Sequence, residues 1–156
     1  MLSDHLNSDI CQLIENRNVD AVPIWDSILR SQRFDVAHAY NTSLPGLIVV
    51  ITKRHIAAID EMTEEESIEL GRLIRKVSIG LKQAVSCRKS YVLQFAEKEG
   101  HSHVHFHIVP RMEDLADEHK GANIFHYLGV DEDDRVTEAQ MNEIGEIVRS
   151  ALAGEF

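Results

Sequence analysis

The chain of 156 residues has 44% hydrophobic and 27% charged residues and a formal net charge of −10 at pH 7. Length and composition are those of one folded domain, expected over 1–156, and argue against wholesale disorder. The acidic charge argues against a general nucleic-acid binder, which needs a basic face for phosphate contacts. The acidic net charge is compatible with a small anionic ligand that binds in a locally positive pocket.

The beginning of the chain, MLSDHLNSDICQLIEN, has neither the basic nor the apolar region of a secretory signal. The longest dense apolar run, LIVVI at 47–51, is too short to span a bilayer. We therefore expect a cytoplasmic protein with no membrane partner. The two cysteines, Cys11 and Cys87, are far apart and form no CxxC pair, so we expect free thiols and no paired-cysteine zinc site.

The first third of the chain predicts mainly strands. Pro23 blocks a helix interior, and the β-branched run near position 50 is typical of a buried strand. A Pro-Gly pair at 45–46 indicates a turn between two strands. The predicted elements are a short helix at 9–16, a first strand at 24–29, a second within 33–41 and a third at 47–52.

A long amphipathic helix follows, within 62–86. Thr63 and Glu66 form a capping-box pattern, and the glutamates at 64–66 lie where the helix dipole favours negative charge. Apolar residues then recur at steps of three and four, as a helix with one buried face requires. They are Leu70, Ile74, Val77, Leu81 and Ala84.

The rest of the chain predicts two strands and a second amphipathic helix. The strands are SYVLQFA at 90–96 and the histidine-rich run at 100–111, which we expect to stop at Pro110. The charged stretch 112–123 predicts a mobile loop over a site or a plain solvated connection, and 122–129 a short apolar loop or helix. Thr137 and Gln140 mark the start of the last helix, whose apolar face carries Met141, Ile144, Val148 and Leu152.

This order of elements predicts an α+β fold with an antiparallel sheet of about five strands, a long covering helix and a C-terminal helix. The histidines at 101, 103, 105 and 107 recur every second residue. In one regular strand they would share a face at spacings of roughly 6.5–7 Å, with the apolar residues between them on the other face.

Three interpretations of this histidine run are open. It is a solvated or hydrogen-bonded ladder, a zinc or nickel site, or a site where imidazole acts as a nucleophile on phosphorus. The metal site lacks a further ligand at fixed spacing, since the remaining candidates follow no pattern. Those candidates are His38, His55, His119 and His126.

The segment HVHFHIV at 103–109, followed by Pro-Arg, resembles the histidine triad family of nucleotide hydrolases and transferases. The order of elements from about 35 to 111, including PGLIVVITKRH at 45–55, is also similar to that family. The resemblance implies a homodimer that forms a covalent nucleotidyl-histidine on the α-phosphate of a dinucleoside polyphosphate or a nucleoside phosphoramidate. No cofactor is expected, and nothing in the sequence demands a metal.

The resemblance also implies residue roles. His105 is the nucleophile, and His103 and His107 contact phosphate oxygens. In place of a common Gly-Gln-Ser segment the chain has Gly-His-Ser, so His101 and Ser102 are expected near phosphate. Ser102 faces away from the histidines in a regular strand, so its contact requires a turn or bulge near position 100.

Three further residues have weaker assignments. Asn41 resembles a residue near the ribose or base, and Gln94 an amide that holds nucleotide or phosphate, although each has an ordinary structural explanation. Arg111 neutralises substrate phosphate or pairs with an acid at the sheet edge. Leu47 replaces a histidine that is common in the family, and His101 is a hypothetical substitute for it.

The competing hypothesis is a nucleotide-sensing or metal-binding protein that uses the histidine strand without turnover. The two hypotheses differ in what His105 does. An enzyme loses its covalent intermediate when this residue becomes alanine, whereas a sensor keeps its nucleotide and a metal protein loses its metal.

Overall fold

The computed structural model describes residues 22–154 and 156; the helix predicted at 9–16 lies outside them. The predicted α+β architecture with five antiparallel strands and two main helices is confirmed. No described helix is both long and apolar enough to cross a membrane. The strands are β1 (Leu29–Arg30), β2 (Phe34–His38), β3 (Ile48–Thr52), β4 (Lys89–Leu93) and β5 (His105–Arg111), and the helices are α1 (Glu64–Val85) and α2 (Glu138–Leu152).

The sheet has the order β1-β2-β3-β5-β4, and all neighbouring strands are antiparallel. Strand β5 therefore lies between β3 and β4. Ile51 is opposite His105 and Val49 is opposite His107. Directly paired residues share a face of a sheet, so these two histidines stand on the same face as the two β3 side chains.

The other face of the sheet is covered by α1. Leu73, Val77 and Leu81 are buried in one core cluster with the alternate β5 residues Phe106 and Ile108. The predicted capping box is present, since the Glu66 N–H donates to the Thr63 hydroxyl and the Glu66 carboxylate accepts from the Thr63 N–H. The period of 3.6 and the cap predicted this helix because both are local properties of the chain.

Helix α2 packs against α1. Its predicted capping box at Thr137 and Gln140 is also formed. A Cβ added at Gly80 of α1 would lie 2.9 Å from the Cα of Val148, so the two backbones approach each other closely here. All four residues predicted for the apolar face of α2 are buried: Met141, Ile144, Val148 and Leu152.

The first predicted strand is wrong for most of its length. Ile24–Asp26 form a 3-10 turn, and only Leu29–Arg30 pair as a strand. The Asp26 N–H donates to the Pro23 carbonyl, and the Trp25 N–H donates to the Asn142 side chain. The tertiary contact with α2 and the turn take up backbone groups that a strand would need.

The histidine strand also differs from the prediction at both ends. It begins at His105, because the preceding Val104 N–H donates to the carbonyl of Ile56 in the loop after β3. It continues through Pro110 to Arg111. Proline is tolerated there because β3 pairs with β5 only up to Ile108, so β4 is the one strand beside this position.

The two predicted connections after β5 are short 3-10 segments. One covers Asp117–His119 and the other Gly121–Tyr127. The second gives the expected short helical piece in the apolar stretch 122–129. Its Phe125 ring lies 5.0 Å from the His107 ring, so this segment borders the histidine face.

Candidate active site

A cavity of about 620 Å³ opens on the histidine face of the sheet. Strands β2, β3 and β5 form its floor, and the segment that follows β4 forms one rim. Small and branched apolar side chains alternate there with a few polar ones. The lining comprises Trp25, Asp26, Ala37, His38, Ala39, Tyr40, Asn41, Val49, Ile51, Phe95, Ala96, Glu97, Lys98, His101, His105, His107 and Leu128.

His105 lies in this lining with a defined ring orientation. Its Nδ1 is 2.8 Å from the carbonyl oxygen of His103. A carbonyl can only accept, so Nδ1 carries the proton, and in the neutral ring Nε2 has the lone pair. Burial lowers the pKa of His105, and the charge of His101 lowers it further against the opposing effect of the backbone bond. The ring is therefore neutral and nucleophilic at pH 7.

His107 is the second histidine of β5 in the cavity. Its ring lies edge-on to His105 and to Phe125, each with a centroid distance of 5.0 Å. Burial lowers the pKa of His107 to about 4, so this ring is also neutral at pH 7. Its Nδ1 is buried and has no hydrogen-bond partner among the described residues.

His103 does not line the cavity, which corrects the prediction that four histidines share one face. Its side chain is 0% exposed and lies edge-on to His55 at 4.9 Å. Its Nε2 donates to the carbonyl and hydroxyl oxygens of Thr52. Burial lowers the pKa of His103 to about 4. The residue is thus joined to β3, and its own carbonyl orients the ring of His105.

His101 and Ser102 lie in the connection before β5. The turn expected near position 100 is present, since Gly100 has a φ of +76° and the His101 N–H donates to the Lys98 carbonyl at 2.8 Å. It brings His101 to the cavity, where Nδ1 donates to the Glu99 carbonyl at 3.1 Å. Ser102 is exposed and outside the lining.

The three weaker site residues have different positions. Asn41 lines the cavity, and its carbonyl accepts from the N–H groups of Gly129 and Val130. Gln94 follows the last residue of β4, half-buried and outside the lining. Arg111 lies at the end of β5 and donates to the carbonyls of Met112 and Glu113, again outside the lining.

His38 supports the wall of the cavity from β2. Its Nδ1 donates to the Ala39 carbonyl at 2.8 Å, and its Nε2 accepts from the Gly46 N–H at 2.9 Å. Burial lowers the pKa of His38 to about 4. Gly46 adopts a φ of +93° in the predicted Pro-Gly turn, so a neutral histidine ties this turn to β2. Leu47, at the position where the family commonly has histidine, is 0% exposed.

Sequence reasoning missed several residues of the lining. Trp25 and Asp26 come from the 3-10 turn before β1, Tyr40 from the segment after β2, and Phe95 and Lys98 from the connection after β4. Only the last two had a sequence signal, since they immediately precede the histidine run. The described residues contain no group of three or more histidine, cysteine, aspartate or glutamate side chains arranged to hold a metal ion.

The comparison with protein families agrees with the histidine geometry. A HIT domain model matches residues 26–114, more than half of the chain. The chain belongs to the histidine triad (HIT) family. The match includes strands β1 to β5 and all four alternating histidines.

Solved structures share the fold of this HIT protein. A Hit-like protein involved in cell-cycle regulation from Bartonella henselae has a TM-score of 0.64 and 21% identity over 94% of this chain and 97% of its own. A Zn-bound histidine triad family protein from Mycobacterium smegmatis has a TM-score of 0.63 and 18% identity over 95% of this chain and 94% of its own. A hypothetical histidine triad nucleotide-binding protein from Sulfolobus tokodaii has a TM-score of 0.62 and 21% identity over 94% of this chain and 96% of its own.

Proposed function

We propose that this HIT protein is a nucleotide hydrolase or nucleotidyl transferase. It acts on the α-phosphate of a dinucleoside polyphosphate or a nucleoside phosphoramidate, with His105 as the nucleophile. The hydrogen bond from His105 Nδ1 to the His103 carbonyl carries this proposal, because it leaves the lone pair on Nε2. The nucleotide-binding description of the Sulfolobus tokodaii structure supports a nucleotide as ligand.

The first step joins Nε2 of His105 to the α-phosphorus. The bond from phosphorus to the leaving oxygen or nitrogen breaks, and the leaving group departs with that electron pair. An amine leaving group also takes a proton from water or a neighbouring histidine. The imidazole becomes cationic because Nδ1 keeps its proton, and the His103 carbonyl stabilises that charge. The same bond therefore orients the nucleophile and stabilises its product.

The second step releases the nucleotide. Water, or another acceptor in a transferase, bonds to phosphorus and loses a proton to solvent. The N–P bond breaks, and its electron pair returns to Nε2 of His105. The ring regains its starting tautomer, ready for the next substrate.

His107 is proposed to donate a hydrogen bond to a phosphate oxygen. An Nδ1–H on this ring would be a buried donor without a described partner, which is costly. The tautomer with the proton on Nε2 avoids that cost and can donate to substrate. A donor aimed at an oxygen that gains negative charge stabilises the transition state.

The nucleoside is proposed to lie over β2 and β3. Ala37, Ala39, Val49 and Ile51 give this part of the lining an apolar surface on which a flat base can be buried. Asn41, at its edge, supplies an amide for the ribose or base. The positions of Ser102, Gln94 and Arg111 add no support to their predicted substrate contacts.

A homodimer is also proposed. Among the described strands, β4 is at the edge of the sheet and pairs only with β5. Its Val92 is an exposed apolar side chain, with 45% of its surface accessible. An unpaired strand edge with an apolar side chain is a template for pairing with a second copy.

The test of the covalent mechanism is intact-protein mass spectrometry after brief mixing and a quench in mild base. Diadenosine tetraphosphate and adenosine 5′-phosphoramidate are mixed separately with wild type, His105→Ala and the control His126→Ala, which removes an exposed histidine outside the lining. We expect one adenylyl adduct in wild type and control and none in His105→Ala. Nucleotide binding without adduct or product in wild type would favour the sensor instead.

A further inference from the structure

Phe95 and Lys98 lie together on the connection from β4 to β5, and both line the cavity. Phe95 is 56% exposed, so its ring is accessible to a ligand in the cavity. The connection bends sharply, since Ala96 has a φ of +54° and Gly100 one of +76°. The bends hold an aromatic ring and an ammonium group at one rim.

Lys98 is the only lysine or arginine in the described lining. No described residue forms a hydrogen bond or ion pair with its ammonium group. Outside the lining, Arg54 binds the Glu66 carboxylate and Arg111 binds backbone carbonyls. The Arg135 guanidinium lies 5.6 Å from the centroid of the Tyr40 ring. The lining also contains two carboxylates, from Asp26 and Glu97. Within the described lining, a polyanionic ligand would therefore meet a full positive charge at Lys98 alone.

Phe95 is connected to the nucleophile by a series of ring contacts. Its ring lies 5.7 Å from Phe125, which lies 5.0 Å from His107, which in turn lies 5.0 Å from His105. The series runs toward β4, away from the apolar surface on β2 and β3 where the nucleoside is proposed to bind. The β4 side is therefore the side from which a leaving group would depart.

We propose that Phe95 and Lys98 form a leaving-group site, which rests on the proposed function. Lys98 binds the phosphates beyond the scissile bond, and Phe95 stacks on an aromatic ring of the leaving group. The site selects nucleotides whose leaving group combines phosphate and an aromatic ring, over those that release a small neutral amine. Base–aromatic stacking and charge-assisted hydrogen bonds are each strong enough for such selection.

Four substrates separate the two contributions. Adenosine 5′-phosphoramidate has neither feature, and 4-nitrophenyl-AMP has a ring without extra phosphate. Adenosine 5′-tetraphosphate has phosphate without a second ring, and diadenosine tetraphosphate has both. The intrinsic reactivity of each leaving group cancels, because every variant is compared with wild type on the same substrate.

For Lys98→Gln we expect kcat/KM to fall about tenfold on the two polyphosphates and to stay unchanged on the other two. For Phe95→Leu we expect a fall of at least about fivefold on the two substrates with a ring in the leaving group. Lys98→Arg should keep most of the polyphosphate activity. The controls Lys82→Gln and Phe156→Leu, which change exposed residues outside the lining, should match wild type on all four.

Equal losses on all four substrates, or no loss on diadenosine tetraphosphate, would overturn the leaving-group site while leaving the proposed function in place. Failure of the wild-type protein to turn over any of the four would overturn the proposed function and the site together. The pattern across substrates thus separates the two failures.

Discussion

Acid should destabilise this protein through His38, whose two ring nitrogens are both used in the neutral form. Nδ1 donates to the Ala39 carbonyl, and Nε2 accepts from the Gly46 N–H. Protonation at Nε2 would place its N–H against the Gly46 N–H, so that two donors face each other. The side chain is 2% exposed, so solvent does not hydrate the resulting charge. The folded state therefore resists protonation at a position that the unfolded chain protonates freely.

The size of the effect follows from linkage. The pKa of His38 falls from 6.5 in the unfolded chain to about 4 in the folded protein. Between these values the unfolded state binds one more proton, so the contribution to stability is complete above pH 6.5 and is lost as pH falls toward 4. The slope is about 1.4 kcal/mol per pH unit, or roughly 3 kcal/mol over the whole range.

Urea unfolding at pH 7.5, 6.5, 5.5 and 4.5 measures this slope. Wild type is compared with His38→Gln, whose amide can still accept from the Gly46 N–H but does not titrate, and with His126→Gln as an exposed control. His103, His105, His107 and the carboxylates contribute the same background to all three proteins. We expect His38→Gln to be about 1–2 kcal/mol less stable at pH 7.5, because a buried hydrogen bond is weakened, but to lose less stability toward pH 4.5. Parallel pH dependences in wild type and His38→Gln would refute the reasoning.

The pH dependence of kcat/KM should follow the titration of His105. Its lowered pKa predicts that kcat/KM rises with pH to a plateau, with the midpoint of the rise below pH 6.5. A midpoint above pH 7 would contradict a neutral nucleophile. Gly80→Ala should lower the free energy of unfolding by about 1–3 kcal/mol in urea, because the added Cβ would lie 2.9 Å from the Val148 Cα. Gly71→Ala on the same helix is the control: its Cβ meets nothing within 4 Å, so it should raise the free energy of unfolding by up to about 1 kcal/mol. Light scattering after size exclusion should give a mass of twice the 17.7 kDa chain for wild type. Val92→Lys should lower the measured mass to that of one chain. A monomeric wild type would contradict the homodimer.

Local patterns predicted the helices and most strands of this protein. The capping boxes at Thr63 and Thr137 and the apolar periods that follow them depend on neighbours within a few residues, so they can be read without the tertiary structure. The first strand could not be predicted in this way. Its residues satisfy their backbone groups through Pro23 and Asn142, and the second of these is more than a hundred residues away.

The histidine motif, the Pro-Arg that follows it and the order of elements before it predicted the family, and the proposal that His105 is the nucleophile rests on that resemblance. The histidine spacing did not determine which histidines reach the cavity, because a period of two places side chains on one face only where the strand is paired. Pairing begins at His105, so His103 turns into the core beside Thr52, and a turn brings His101 back to the rim.

The placement of Phe95 and Lys98 beside the cavity was decided only by the tertiary structure. Phe95 and Lys98 belong to no motif, and the sequence marks them only by their position shortly before the histidine run. They gain their positions because β4 pairs with β5 and delivers the following segment to the histidine face. Short-range spacing encodes the chemistry of a nucleophile, whereas the groups around a substrate converge from distant parts of the chain and depend on how the strands pair.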